Sequence, residues 1–170
     1  QFMLIAAMNP TPDGKMPHES RSSPREIQNY LGHISGPLLD RIDLHVEVTP
    51  VPFDELSTKR MAEDSSTVRR RVIQTREIQK ERFNSFPGIH CNAQMSTQLT
   101  REICQIDASG RKLLKTAIER LSLSARAYDR ILKVARTIAD MEQSETIANH
   151  HIAEAIQYRN LDRETWGGKF

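Results

Sequence analysis

The first apolar stretch of the chain, Phe2 to Met8, contains no polar residue. Such a run is typical of a strand buried on both faces, as in parallel sheets covered by helices. A second segment, Leu44 to Val48, predicts another strand, and two prolines follow it at positions 50 and 52. Prolines cannot continue a central strand, so they end the sheet and begin a linker. The pattern therefore predicts the remnant of an α/β core over residues 1–52.

Helical spacing of apolar residues dominates the rest of the chain. Along the helix expected at 124–141, the apolar positions fall on one stripe: Ala127, Ile131, Val134, Ala135, Ile138 and Ala139. Candidate cap residues locate several helix starts, with Ser23 before Pro24, Ser96 or Thr97, Ser109 and Ser124. Spacing and caps together predict helices near 24–32, 36–41, 65–83, 96–106, 109–121, 124–141 and 149–158.

Short amphipathic helices bury their apolar stripes only against one another, so the later helices predict a bundle. The fold class expected is mainly α, a helical lid bundle preceded by a two-stranded α/β remnant. We divide the chain into the core remnant 1–52, a linker with a long helix over 53–94, the bundle 95–160 and a tail 161–170.

Composition narrows the function classes only modestly. The net charge is +2, which by itself does not indicate a nucleic-acid partner, and aromatic residues make up 5%. No apolar stretch approaches the roughly 20 residues that span a bilayer. The two cysteines, Cys91 and Cys104, form a poor disulfide framework, so reduced thiols and a cytoplasmic location are expected.

Three segments in order resemble the magnesium-chelatase-like YifB/ComM family of AAA+ ATPases. They are Met8-Asn9-Pro10 with Ser35-Gly36-Pro37-Leu38-Leu39-Asp40-Arg41-Ile42-Asp43, then Leu123 to Asp140, then His151 to Arg159. The chain has no Gly-rich phosphate loop and no acidic pair ending a strand. The resemblance therefore implies a C-terminal fragment of a longer ATPase, which alone neither binds ATP tightly nor hydrolyses it.

The resemblance implies a role for three side chains. Asn9 matches the residue that orients the attacking water, although an Asn before Pro10 is also ordinary turn chemistry. Arg41 matches the arginine finger that reaches a neighbouring subunit's nucleotide; the alternative is a surface pairing with Asp40 or Asp43. Arg126 matches a nucleotide-binding arginine in the first turn of its helix, where a cation opposes the helix dipole. An exposed structural arginine is its alternative.

The same resemblance implies ATP and Mg²⁺ as cofactors of the longer protein, with the magnesium ligands outside this chain. It further implies a homo-oligomeric ring, expected to be a hexamer, that drives DNA remodelling of the branch-migration or helicase type. A chelatase-like or chaperone-like remodeller of protein partners is the alternative. A bundle that serves only as an interaction module is a third hypothesis.

Other charged and metal-binding patterns are weaker. The basic run Arg69-Arg70-Arg71 is interrupted further on by acidic residues, so a solvated helix face is favoured over a nucleic-acid surface. His150 and His151 are adjacent and lack the i, i+4 spacing of a helical zinc site, so no metal is predicted. Where many relatives carry cysteine pairs, the loop 10–23 has none, and we expect it to lack zinc and to be mobile.

Overall fold

A computed structural model describes residues 2–49, 51 and 63–159. Its contacts divide the chain into two compact units. The described part of the first, here called the N-terminal unit, is residues 2–42. That of the second, the helical unit, is residues 43–49, 51 and 63–159. The tail predicted at 161–170 lies outside the described residues, as does most of the linker expected from residue 53.

The N-terminal unit contains two helices, both near their predicted positions. Helix α1, Pro24–Gly32, begins with a capping box in which the Ser23 hydroxyl accepts from the backbone N–H of Glu26. Helix α2, Gly36–Leu39, is one short turn with a proline in its first positions. The small core of the N-terminal unit consists of Ile27, Leu31 and Leu39.

The two predicted strands are wrong for the residues that the structure describes. Neither 2–8 nor 44–48 forms a β-ladder, and apolar side chains along both are exposed, Phe2 by 90% and Val48 by 83%. A strand's backbone N–H and C=O groups are satisfied only by a neighbouring strand. The apolar pattern alone identified segments suited to a buried sheet, but among the described residues no segment forms a ladder with them; the His45 N–H donates singly to Tyr158 O at 2.8 Å.

The helical unit contains five α-helices, close to the predicted ranges. They are α3 Ser65–Arg82, α4 Thr97–Ile103, α5 Ala108–Leu121, α6 Ala125–Met141 and α7 Asn149–Gln157. A single 3₁₀ turn, Asn92–Gln94, precedes α4. Helix α6 is central, because α3, α4, α7 and the 3₁₀ turn all pack against it. The mainly helical fold class is confirmed.

The predicted stripe of α6 forms the middle of the core. Ala127, Ile131, Ala135 and Ala139 are completely buried, and Val134 is half-buried. Helices α5 and α7 approach each other closely at Gly110, where an added Cβ would lie 2.7 Å from the Cδ1 of Ile152. The apolar faces that the sequence predicted therefore meet in one cluster.

One predicted cap is wrong. Helix α5 begins with Asp107, whose carboxylate accepts from the backbone N–H of Gly110 at 2.6 Å. Ser109, the expected cap, lies inside the first turn and donates its hydroxyl to Asp107. Asp and Ser are equally good N-caps, so residue type alone did not separate them.

Candidate functional site

An open pocket of about 490 Å³ lies in the helical unit beside the first turn of α6. Its wall combines two cations, an aromatic ring, an acid and apolar groups: Thr97, Arg101, Ile118, Ala125, Arg126, Tyr128 and Asp129. The Thr97 hydroxyl donates to Asp129 at 2.7 Å, which links the start of α4 to α6 across the pocket wall. The depression is shallow and widely open to solvent, and its wall mixes apolar and polar groups.

Arg126 has an exposed side chain in the first turn of α6. The helix start is built by Ser124, whose hydroxyl accepts from the backbone N–H of Ala127 at 3.2 Å. A helix N-terminus and an arginine at the same end both favour anionic ligands. A cation at this position is unfavourable for the helix alone, which is why it is a candidate for binding phosphate.

Arg101 is a second cation on the same pocket, and the sequence patterns did not single it out. It lies in the last turn of α4, is exposed, and lines the pocket with Arg126. The two residues are 25 positions apart in sequence. Only the folding of α4 against α6 brings them to one wall, so no local motif signalled the pairing.

Arg41 follows the short helix α2 in the N-terminal unit. Its side chain is exposed, and its Nη1 donates to the carbonyl oxygen of Pro37 at 2.7 Å. The backbone N–H of Arg41 donates to Leu38 O at 2.9 Å, so the turn continues α2. Asp43, which the alternative pairing involved, forms an ion pair with Arg130. The contact with Pro37 holds the Arg41 side chain against the preceding turn. The role of Arg41 as an arginine finger stays a prediction.

Asn9 is exposed and also belongs to the N-terminal unit, whereas Arg126 belongs to the helical unit. The loop after Asn9 turns back toward it at Gly14, whose φ is +78°. A Cβ added at Gly14 would lie 3.5 Å from Asn9 Nδ2. The structure therefore places the Asn9 amide against the loop, and its role in orienting water stays a prediction.

Asp13 organises the loop that was expected to be mobile. Its carboxylate accepts from the hydroxyls of Thr11 and Ser20, at 2.8 and 2.7 Å, and from the backbone N–H of Arg21 at 3.0 Å. These donors, the Arg21 N–H most of all, hold the pKa of Asp13 well below its ordinary value. Hydrogen bonds thus connect the two ends of a loop whose thiolates are absent, which argues against free mobility.

A buried charge network lies toward the C-terminal end of α6 and was not predicted. Asp140 is 1% exposed and accepts from both terminal nitrogens of Arg82, from Arg136 Nε at 3.0 Å and from Asn92 Nδ2 at 2.7 Å. Arg136 also donates to the Glu145 carbonyl at 2.8 Å. Burial lowers the pKa of Arg136 from its usual value, and Asp140 opposes that shift. With every charge paired, this network is structural.

Glu142 brings the two adjacent histidines together. The Nε2 atoms of His150 and His151 each lie 2.9 Å from the same Glu142 oxygen, so adjacency did not separate them as expected. His151 Nδ1 accepts from the backbone N–H of Ala148 at 2.9 Å. The proton of a neutral His151 must then be on Nε2, where a metal would need a lone pair. The cluster is therefore a hydrogen-bonded clamp between the end of α6 and the start of α7.

Comparisons with known protein sequences match nearly all of the chain. The profile described as "Magnesium chelatase, subunit ChlI C-terminal" matches residues 62–159, and "Magnesium chelatase, subunit ChlI" matches residues 1–56. The chain is 41% identical to competence protein ComM of Haemophilus influenzae and 40% identical to the uncharacterised protein YifB of Escherichia coli. Each alignment covers 96% of this chain. The chain belongs to the magnesium-chelatase-like YifB/ComM family.

The family assignment confirms the resemblance inferred from the three sequence segments. An uncharacterised protein of Mycobacterium tuberculosis is 33% identical over 94% of the chain. The chain spans 31% of the length of the Haemophilus protein and 32% of the Escherichia protein. Among the residues that the structure describes, no helix is long and apolar enough to cross a membrane.

Proposed function

We propose that this chain acts within a longer AAA+ ATPase in which ATP hydrolysis in an oligomeric ring drives DNA remodelling. The observation that carries the proposal is the pair Arg101 and Arg126 on one open pocket at the start of α6. Membership of the magnesium-chelatase-like family supports it. We place the protein in the cytoplasm.

The donor set of the pocket fits a nucleotide. Guanidinium groups match phosphate oxygens in charge and geometry, and the Tyr128 ring offers an apolar wall. In this proposal Arg126 and Arg101 hold phosphate oxygens and neutralise part of their charge. ATP supplies the phosphoryl group that is transferred to water, and the magnesium ligands are outside this chain.

Asn9 and Arg41 complete the proposed machinery. An uncharged amide orients a water without competing with it as a base, which is the role we assign to Asn9. Arg41 acts across a subunit boundary, where its guanidinium neutralises charge that develops on the transferred phosphoryl group. Arginine fingers contribute about 10³–10⁵ in rate. A hexameric ring is the assembly we propose.

Stimulation of ATP hydrolysis by DNA distinguishes a DNA substrate from a protein substrate. The Haemophilus relative is named a competence protein, and this supports DNA as the substrate. We expect forked or single-stranded DNA to stimulate the ATPase of the longer protein severalfold. Absence of stimulation by any DNA would favour the alternative, a chelatase-like or chaperone-like remodeller.

The pocket itself is tested by Arg126→Gln. We expect this variant to weaken ATP binding by the longer protein about tenfold or more, because a charge-assisted phosphate contact is lost. Arg120→Gln removes an equally exposed arginine from the end of α5, which does not line the pocket, and should leave ATP affinity unchanged. Equal affinities for the two variants would contradict a nucleotide role for Arg126.

A further inference from the structure

Helix α3 carries far more positive charge than the rest of the chain. Its 18 residues contain five arginines and one lysine against two glutamates, whereas the whole chain has a net charge of only +2. The structure separates these cations into two groups. Arg82 pairs with buried Asp140, and Arg71 pairs with Glu63 at 3.0 Å, so both belong to internal contacts.

Of the four remaining cations, Arg70 donates to the Thr67 hydroxyl at 2.9 Å, and the other three form a line along the helix. At roughly 100° per residue, Arg69, Arg76 and Lys80 fall within about 40° of one another around the axis. All three are exposed. Among the described residues, Arg69 and Arg76 have no hydrogen-bond or carboxylate partner, and Lys80 has only an exposed pair with Glu77 at 3.3 Å. Such an exposed pair contributes about 0–1 kcal/mol and is easily exchanged.

The line lies beside the buried face of α3 and is exposed to solvent. Thr75 and Gln79, the buried residues of α3, lie roughly 100° around the axis from the cations. Ile73 is 50% exposed and lies between Arg69 and Arg76 on the cationic side. We call Arg69, Ile73, Arg76 and Lys80 the basic face of α3.

We propose that the basic face of α3 is a binding surface for the sugar–phosphate backbone of nucleic acid. A rise of about 1.5 Å per residue makes the face about 16 Å long from Arg69 to Lys80. A strand laid along the face therefore brings several consecutive phosphates within reach of its cations. Exposed Ile73 can contact a sugar while the flanking cations bind phosphates.

Nucleic acid suits this face better than an acidic protein segment does. Arg69 and Arg76 lie about 10 Å apart along the helix axis, and Arg76 and Lys80 about 6 Å apart. A chain of repeating phosphates can meet both intervals, and the apolar side chain on the face, Ile73, is a single exposed residue with no pocket of its own to receive an anchoring side chain. The face contacts backbone and not base edges, so binding should be independent of sequence. The inference rests on the proposed function, in which DNA is the substrate, and it names the surface that would contact it.

The test is binding of a fluorescent 20-nucleotide oligothymidine to this 170-residue chain, measured by anisotropy at several salt concentrations without ATP. The triple variant Arg69→Gln, Arg76→Gln and Lys80→Gln removes the face. The matched control Lys112→Gln, Lys115→Gln and Arg120→Gln removes three exposed cations from α5. All six side chains are exposed, so both variants should keep the helical content and melting temperature of the parent.

We expect the parent to bind and the face variant to bind on the order of tenfold more weakly. Its slope of log K against log salt should fall by up to about 2, because each phosphate contact to a single strand contributes about 0.7. The control should bind like the parent. Unmeasurable binding by the parent at low salt, equal weakening in both variants, or competition by polyglutamate as strong as by oligothymidine would each overturn the inference. Because the assay contains no ATP, a failure here leaves the pocket and finger assignments standing, and the reverse also holds.

Discussion

Two apolar segments of similar composition differ in burial in this molecule. The run from Phe2 to Met8 is exposed, with Ile5 at 81%, whereas the α6 stripe that includes Ile131 is completely buried. A helix satisfies its backbone hydrogen bonds internally and needs only an apolar surface to pack against. A strand needs both a packing surface and a neighbouring backbone. Apolar character therefore decides burial only where the partner that the element needs is present.

The two units also differ in how they hold a carboxylate. Asp13 of the N-terminal unit accepts from hydroxyls and one N–H at the surface, whereas Asp140 of the helical unit is buried among two arginines and an asparagine. Exposed polar contacts exchange readily with water, but a buried charge has no substitute for its partners. The same residue type thus organises a loop in one unit and fastens the bundle in the other.

Asp140→Ala should produce the largest loss of stability. It leaves Arg136, whose side chain is only 4% exposed, without its buried counter-charge, and such changes cost about 3–5 kcal/mol. Urea unfolding followed by helical circular dichroism measures the loss. Asp13→Ala, which removes an exposed acceptor, should shift the helical transition little. Equal effects of the two variants would break the contrast between the units.

Ile131→Ala should cost about 2–5 kcal/mol, because it leaves a cavity in the middle of α6. Ile5→Ala, an identical change on the exposed run, should stay within about 0.5 kcal/mol. The same urea titration compares them. A large effect at Ile5 would show that the N-terminal run is packed in solution and would remove the difference on which the comparison rests.

Asp107→Ala should cost about 1 kcal/mol, because it removes the side chain that caps α5. Ser109→Ala should cost less, because the backbone N–H of Gly110 keeps its bond to Asp107. Thermal unfolding of the two variants compares them. A larger effect of Ser109→Ala would support Ser109 as the cap of α5, as the sequence pattern predicted.

Glu142 should give a small pH-dependent effect. Hydrogen bonds from His150 and then His151 lower the pKa of Glu142 below its usual 4.5. The ionised clamp therefore contributes stability above that value, and the contribution disappears as the pH falls through the lowered pKa. Glu142→Gln should be less stable than the parent at neutral pH, and the difference should vanish once the pH falls below the lowered pKa of Glu142. A constant difference across this range would contradict the clamp.

The helices were predictable because their determinants are local. Ser23 and Ser124 cap the helices as expected, and the spacing of α6 gave its buried face. Arg82 and Asp140 are 58 residues apart, so no local pattern signals that they meet. Arg101 and Arg126 are also distant in sequence, so no local pattern predicts that they line the same pocket.

The predicted site depended more on resemblance than on pattern. Asn9 and Arg41 are ordinary loop and turn residues by their local sequence, and only the family segments marked them. Only the expectation that His150 and His151 point to different sides was wrong, because Glu142, at the end of the preceding helix, lies within hydrogen-bond distance of both. Side chains that act together across helices are set by packing, which a linear pattern does not encode.

The central claim is that Arg41 acts on a nucleotide held by a neighbouring subunit, and one measurement tests it most directly. ATP binding and ATP hydrolysis are compared in the longer protein with Arg41→Ala, using Arg25→Ala, an exposed arginine of α1, as the control. We predict that Arg41→Ala lowers turnover by about 10³-fold or more while ATP affinity stays close to that of the parent. Unchanged turnover in Arg41→Ala would contradict the account.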